Sequence, residues 1–71
     1  MKKLTDKQSA ILTYIKDYIV SNGYSPIAKD IQSQFGYASQ NAALEHLNAI
    51  EKKGYIKRTP KIARSIVVLQ A

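Results

Sequence analysis

A polar residue opens, and a glycine closes, each of three consecutive amphipathic stretches in a chain of only 71 residues. That punctuation leaves room for three short helices and a tail. Thr5, with Gln8 three residues later, has the spacing of a capping box. Asp6 follows where the helix dipole favours an acid. Ile11, Leu12, Ile15, Tyr18 and Ile19 then recur at helical spacing up to Asn22-Gly23, which predicts a helix over about residues 5 to 21. Ser25 as N-cap and Pro26 at the first helical position predict the start of a second helix. Its buried spacing is Ile27, Ile31 and Phe35, and Gly36 ends it. After the very short Tyr37-Ala38 join, Ser39 caps a third helix, which runs to Lys53 and stops at Gly54. Two helices joined so tightly form a helix-turn-helix.

Beyond Gly54 the periodicity changes. Tyr55-Ile56-Lys57-Arg58 and the β-branched run from Arg64 to Leu69 read as strands, with a turn at Thr59 to Ala63 between them. A lone two-stranded hairpin is not stable, so it must pack on the helices. The expected fold is mainly α with a small β-hairpin, in the order α-α-α-β-β: a winged helix-turn-helix filling one domain over residues 1–71. A chain this short has a small core and little stability to spare.

The third helix has two different faces. Ala43, Leu47 and Ile50 form an apolar stripe at i, i+4 and i+7. Asn41, Glu45, Asn48 and Lys52 lie opposite. That outer face is rich in amide and carboxylate, the groups that read base edges: asparagine pairs with adenine, and glutamate accepts from cytosine N4. The formal net charge is +6, and Lys52, Lys53, Lys57, Arg58, Lys61 and Arg64 place six of the eleven basic residues within thirteen positions. Such a cluster beside a polar helix face points to a polyanionic partner.

Other function classes find little support. The chain has no cysteine and a single histidine, so neither a disulfide framework nor a zinc site is expected. His46 reads as a packing residue. The five carboxylates are scattered, no hydroxyl has a base beside it, and no glycine-rich phosphate loop is present, so no enzyme and no cofactor is expected. No apolar run is long enough to span a membrane. No leader follows the basic N-terminus, which makes the cytoplasm the expected location.

The chain resembles the N-terminal DNA-binding domain of LexA repressors. The resemblance rests on Lys2, Leu4-Thr5, Gln8, Ile15, Asp17 and Ile19, then Gly23, Pro26, Ile31 and Gly36. Its most specific part is Ser39, Asn41-Ala42-Ala43 and Glu45-His46-Leu47, followed by Lys53-Gly54, Ile56, Arg64, Ile66 and Leu69. It implies that the start of the third helix enters the major groove with Ser39, Asn41, Ala42 and Glu45 facing the bases. It also implies targets of the CTGT/ACAG palindromic type. Lys53 and Arg64 match backbone-contact positions, and Lys7, Asn48, Lys52 and Lys57 are further candidates for phosphate.

Two departures stand out. Leu44 occupies a position where the family usually has a second glutamate. Leucine cannot accept a hydrogen bond, so it either folds toward the core or meets a thymine methyl as a base contact. Loss of that carboxylate is expected to give tighter, less selective binding. The family also carries a C-terminal Ser-Lys peptidase domain with the dimer contacts, and this chain ends at Ala71 without it. It reads as an excised domain or a stand-alone relative, monomeric in isolation and pairing only on a palindrome. A protein-interaction adaptor or corepressor, with Leu44 and Ile62 as contact residues, and charge-only nucleic-acid packaging are the competing readings.

Overall fold

In the computed structural model, residues 3–69 are described, so the Lys2 match lies outside the described residues. Three helices precede a two-stranded sheet: α1 (Asp6–Asn22), α2 (Ala28–Phe35), α3 (Gln40–Lys52), β1 (Ile56–Lys57) and β2 (Val67–Val68). Helix α1 starts as its sequence dictates. The Thr5 hydroxyl accepts from the Gln8 N–H at 3.2 Å and the Gln8 side chain accepts from the Thr5 N–H at 3.1 Å, which satisfies two amides left open by the first turn. It ends at Gly23, whose φ of 78° lets its N–H fold back to the Ile19 carbonyl at 2.8 Å. Ile11, Leu12 and Ile15 are buried, whereas Tyr18 and Ile19 are only half-buried.

Helix α2 corrects the expected start. Ser25 and Pro26 are not its cap and first residue. The N-cap is Ile27, and the helix begins at Ala28. Asp30 does the capping from inside the first turn, its carboxylate accepting from the Ile27 N–H at 3.0 Å. Ser25 and Pro26 are instead buried in the segment that leads into the helix, and the Ser25 hydroxyl accepts from the Ile66 N–H at 3.1 Å. The serine that looked like a cap thus holds the second half of the hairpin. Helix α3 is capped by Ser39, whose hydroxyl accepts from the Ala42 N–H at 3.3 Å. It ends one residue short of the expected Lys53, which serves as its C-cap.

One core joins all the elements: Ile11, Leu12 and Ile15 of α1, Ala28 and Ile31 of α2, Ala43, Leu47 and Ile50 of α3, and Ile56 and Ile66 of the hairpin. The hairpin packs on the helices as its length demands. Its strands pair antiparallel, Ile56 opposite Val68 and Lys57 opposite Val67, and are shorter than the two apolar runs suggested. The hydrogen bonds explain the difference. The Arg58 N–H turns to the Glu51 carboxylate at 3.2 Å, and the Thr59 N–H turns to the Ser65 hydroxyl at 3.0 Å, so neither joins the ladder. Arg64 has a φ of 57° and Lys61 a φ of 65°, left-handed conformations that no strand tolerates.

Candidate nucleic-acid interface

Successive residues on a helix turn by about 100°, and on α3 this sorts the side chains into distinct sectors. Ala43, Leu47 and Ile50 face the core with at most 1% of their surface exposed. Asn41, Glu45, Asn48 and Lys52 are all exposed on the opposite side. Asn41 donates its amide to the Glu45 carboxylate at 3.3 Å, an i to i+4 pair along the face. Ser39, the N-cap, is exposed at the start of the helix. Ala42 is half-buried on one flank. Leu44 is half-buried on the other, packed against the core and lining an open groove of about 560 Å³ between α3 and the loop that joins the strands. Leu44 therefore folds toward the core from the edge of the outer face.

The wing is tied to α3 by an interaction that spacing along the sequence does not reveal. Arg58 Nε donates to Glu51 at 2.8 Å, the other Glu51 oxygen accepts the Arg58 backbone N–H, and Arg58 Nη2 donates to the Asn48 side chain. Asn48, a candidate for phosphate contact, is thus engaged within the fold. Burial acts to raise the Glu51 pKa. The hydrogen bonds from the Arg58 side chain and backbone, with the charges of Arg58 and Lys57, outweigh burial and hold the carboxyl below its usual range. A depressed carboxyl contributes stability that is present above its unfolded pKa and lost as pH falls through its folded one. The melting temperature should therefore begin to fall below about pH 4.3, where a free glutamate takes up a proton. Glu51→Gln should flatten that acid limb in calorimetric melts. An unchanged acid limb in the variant would show that the Arg58 pair contributes nothing to it.

The basic candidates divide into two groups. Lys7, Lys52 and Lys57 are exposed. Lys53 is a tie within the fold: its Nζ donates to Gln8 Oε1 at 2.6 Å and to the Lys3 carbonyl at 3.1 Å, joining the end of α3 to the start of α1. Arg64, though exposed, is tied back onto the helices. Its Nη1 donates to the Ser25 carbonyl at 3.1 Å and the Tyr18 hydroxyl at 3.2 Å, with Asp30 at 3.4 Å, and its Cζ lies 4.6 Å over the Tyr24 ring. The Tyr18 hydrogen bond, more than the Asp30 charge, raises the guanidinium above its ordinary pKa. Arg58 and Lys61 were read in the sequence only as members of the basic cluster, and Glu51 only as one of the scattered carboxylates. The pairing of Arg58 with Glu51 depends on the chain reversing at Gly54, which no helical or strand period encodes.

His46 stacks on Tyr37 at 5.3 Å, and Tyr37 on Phe35 at 5.9 Å, so both pack the turn between α2 and α3. Among the described residues no group of His, Cys, Asp or Glu could hold a metal ion, and no helix is long and apolar enough to cross a membrane.

A tight helix pair whose second member turns an amide and carboxylate face outward, backed by a basic hairpin, defines the class: a winged helix-turn-helix domain. The family model of the LexA DNA binding domain matches residues 1–65. The chain is 50% identical over 70 residues to a LexA repressor of Thermosipho melanesiensis, an alignment covering 99% of this chain and 35% of that protein. LexA repressors of Pseudomonas chlororaphis (46% over 66 residues) and Shouchella clausii (45% over 69) align over 93% and 97% of this chain, and 33% of their own lengths. The chain belongs to the LexA DNA-binding domain family, and spans about a third of the length of these relatives.

Proposed function

We propose that this chain is the sequence-reading module of a transcriptional repressor, placing α3 in the major groove of double-stranded DNA at CTGT/ACAG-type half-sites. The observation that carries the reading is the Asn41–Glu45 pair. Both residues are exposed, and among the described residues each side chain hydrogen-bonds only to the other, so the fold itself makes little use of them. An asparagine amide has two N–H donors and one carbonyl. With one donor held by Glu45, the second donor and the carbonyl remain for adenine N7 and N6, the bidentate pairing that singles out that base. The second Glu45 oxygen remains for cytosine N4. Ser39 and Ala42 flank the pair, Ala42 with a methyl for thymine. Leu44 comes close only at the rim, where an apolar edge meets a thymine methyl and repels no phosphate. Lys7, Lys52 and Lys57 supply phosphate contacts around this face, which position the module without specifying sequence.

One such module buries little surface, so tight occupancy requires two copies on one palindrome acting through effective concentration. The chain is proposed to be monomeric when free. Titration with a duplex carrying the CTGT/ACAG palindrome, against a scrambled duplex at one moderate salt concentration, tests the reading. The palindrome should bind at least about tenfold tighter, since each mismatched pair costs roughly 1–3 kcal/mol. Equal affinity for both duplexes would remove the assigned operator. The exposed Ile62, at 61%, favours a second reading as a protein-binding adaptor. Binding to neither duplex would put that reading first.

A further inference from the structure

The wing loop is fastened at both ends and open at its tip. At one end Arg58 is bound to Glu51 and Asn48 of α3. At the other, Arg64 is bound to the Ser25 carbonyl, the Tyr18 hydroxyl and Asp30, over the ring of Tyr24. The Ser65 hydroxyl closes the loop base, accepting from the Thr59 N–H at 3.0 Å and donating to the Thr59 carbonyl at 3.2 Å. Next to it, the Ile66 N–H reaches the buried Ser25 hydroxyl. Lys61 stands between these ties, exposed and in a left-handed turn. Among the described residues no hydrogen bond or ion pair holds its side chain.

We propose that Arg64 is a positioning residue that anchors the wing to α1 and α2, and that Lys61, in the loop of the wing, makes a phosphate contact there. The assignment rests on the DNA-binding reading and divides two roles that the cationic character of the wing leaves merged. Arg64 already faces the Asp30 carboxylate, so placing it on a phosphate displaces few counterions. It also strips the Ser25 carbonyl, on a residue 3% exposed, of a donor. Lys61 has no such partner, and a phosphate contact by an unpaired cation is the kind that releases counterions and makes affinity salt-dependent.

The test compares the parent chain with Lys61→Ala, Arg64→Gln and the double variant. Affinity for the CTGT/ACAG duplex is measured across a salt series, and exchange of the Ile66 amide is followed by NMR without DNA. Lys61→Ala should lower the slope of log affinity against log salt by about 0.9, the share of one phosphate contact. Arg64→Gln should weaken binding several-fold with the slope unchanged, and should speed Ile66 exchange in the free chain. In the double variant the Arg64 loss should largely vanish, because an anchor has no effect on affinity once the contact it aims is gone; general damage to the fold would instead multiply with the Lys61 loss. Tyr24→Ala, which removes the ring beneath the guanidinium, should repeat the slope-neutral loss even if Arg64→Gln fails to fold. A slope change of about 0.9 in Arg64→Gln, multiplicative losses in the double variant, or unaltered Ile66 exchange would each overturn the assignment. If the parent chain bound no duplex, the DNA-binding reading would fail and take the Lys61 role with it, while Ile66 exchange would still decide whether Arg64 is an anchor.

Discussion

Truncating Leu47 to alanine should leave the chain largely unfolded near physiological temperature. Leu47 is 1% exposed and sits in the one core shared by all three helices and the hairpin. A buried leucine cut to alanine loses its transfer free energy and leaves a cavity, together about 2–5 kcal/mol. A single-core domain of this size holds only about 3–5 kcal/mol in total, so the loss is comparable to the whole. At roughly 4–8 °C per kcal/mol for a domain of this length, the melting temperature should fall by at least about 8 °C. Far-UV circular dichroism during heating reads this directly. Val20→Ala is the matched control: Val20 is 86% exposed on α1, and its truncation should change stability by no more than about 0.5 kcal/mol. A Leu47→Ala melt within a few degrees of the parent would mean that the core can collapse around the gap or is not the main source of stability.

The same burial pattern shows why much of the fold was legible in the sequence. Positions 43, 47 and 50 of α3 are apolar at helical spacing and are its buried residues, because one period governs both the stripe and the contact. The caps at Thr5 and Ser39 were legible because each acts within one turn of its own helix. Ser25 misled for a related reason. A serine before proline satisfies the local rule for a helix start, but Asp30 satisfies the same amide from inside the helix, and the burial of Ser25 against Ile66 decides the outcome. The strands were overestimated in the same way: β-branched residues from Arg64 to Leu69 suit a strand, yet hydrogen bonds to Ser25, Glu51 and Ser65 draw the neighbouring amides out of the ladder.

The candidate site was legible in part. Its outward face follows from the period of α3 alone, so Asn41, Glu45, Asn48 and Lys52 were placed together correctly on one side. The engagements of Asn48, Lys53 and Arg64 were not, because each joins residues far apart in sequence or brought near by a chain reversal. A count of basic residues therefore overstates the number of cations free for phosphate. The Lys53 ammonium donates to a buried glutamine on α1, and Arg64 is paired with Asp30 on α2.

Asn41→Ala should bind the preferred duplex roughly 5- to 150-fold more weakly, as a good bidentate amide–adenine pair contributes about 1–3 kcal/mol of discrimination. Three accompanying observations separate this from a general effect. Stability should change by no more than about 0.5 kcal/mol, since Asn41 is exposed and its side-chain bond to Glu45 is a surface i to i+4 pair. The salt slope should stay as it was, since asparagine is neutral and releases no counterion. Affinity for the scrambled duplex should be nearly unaffected, because charge rather than base pairing sets non-specific binding. The variant would thus lose preference at one base step while keeping its grip on the backbone. Equal weakening toward both duplexes would instead assign Asn41 to the backbone, and the proposal that α3 reads bases through the Asn41–Glu45 pair would then have to be given up.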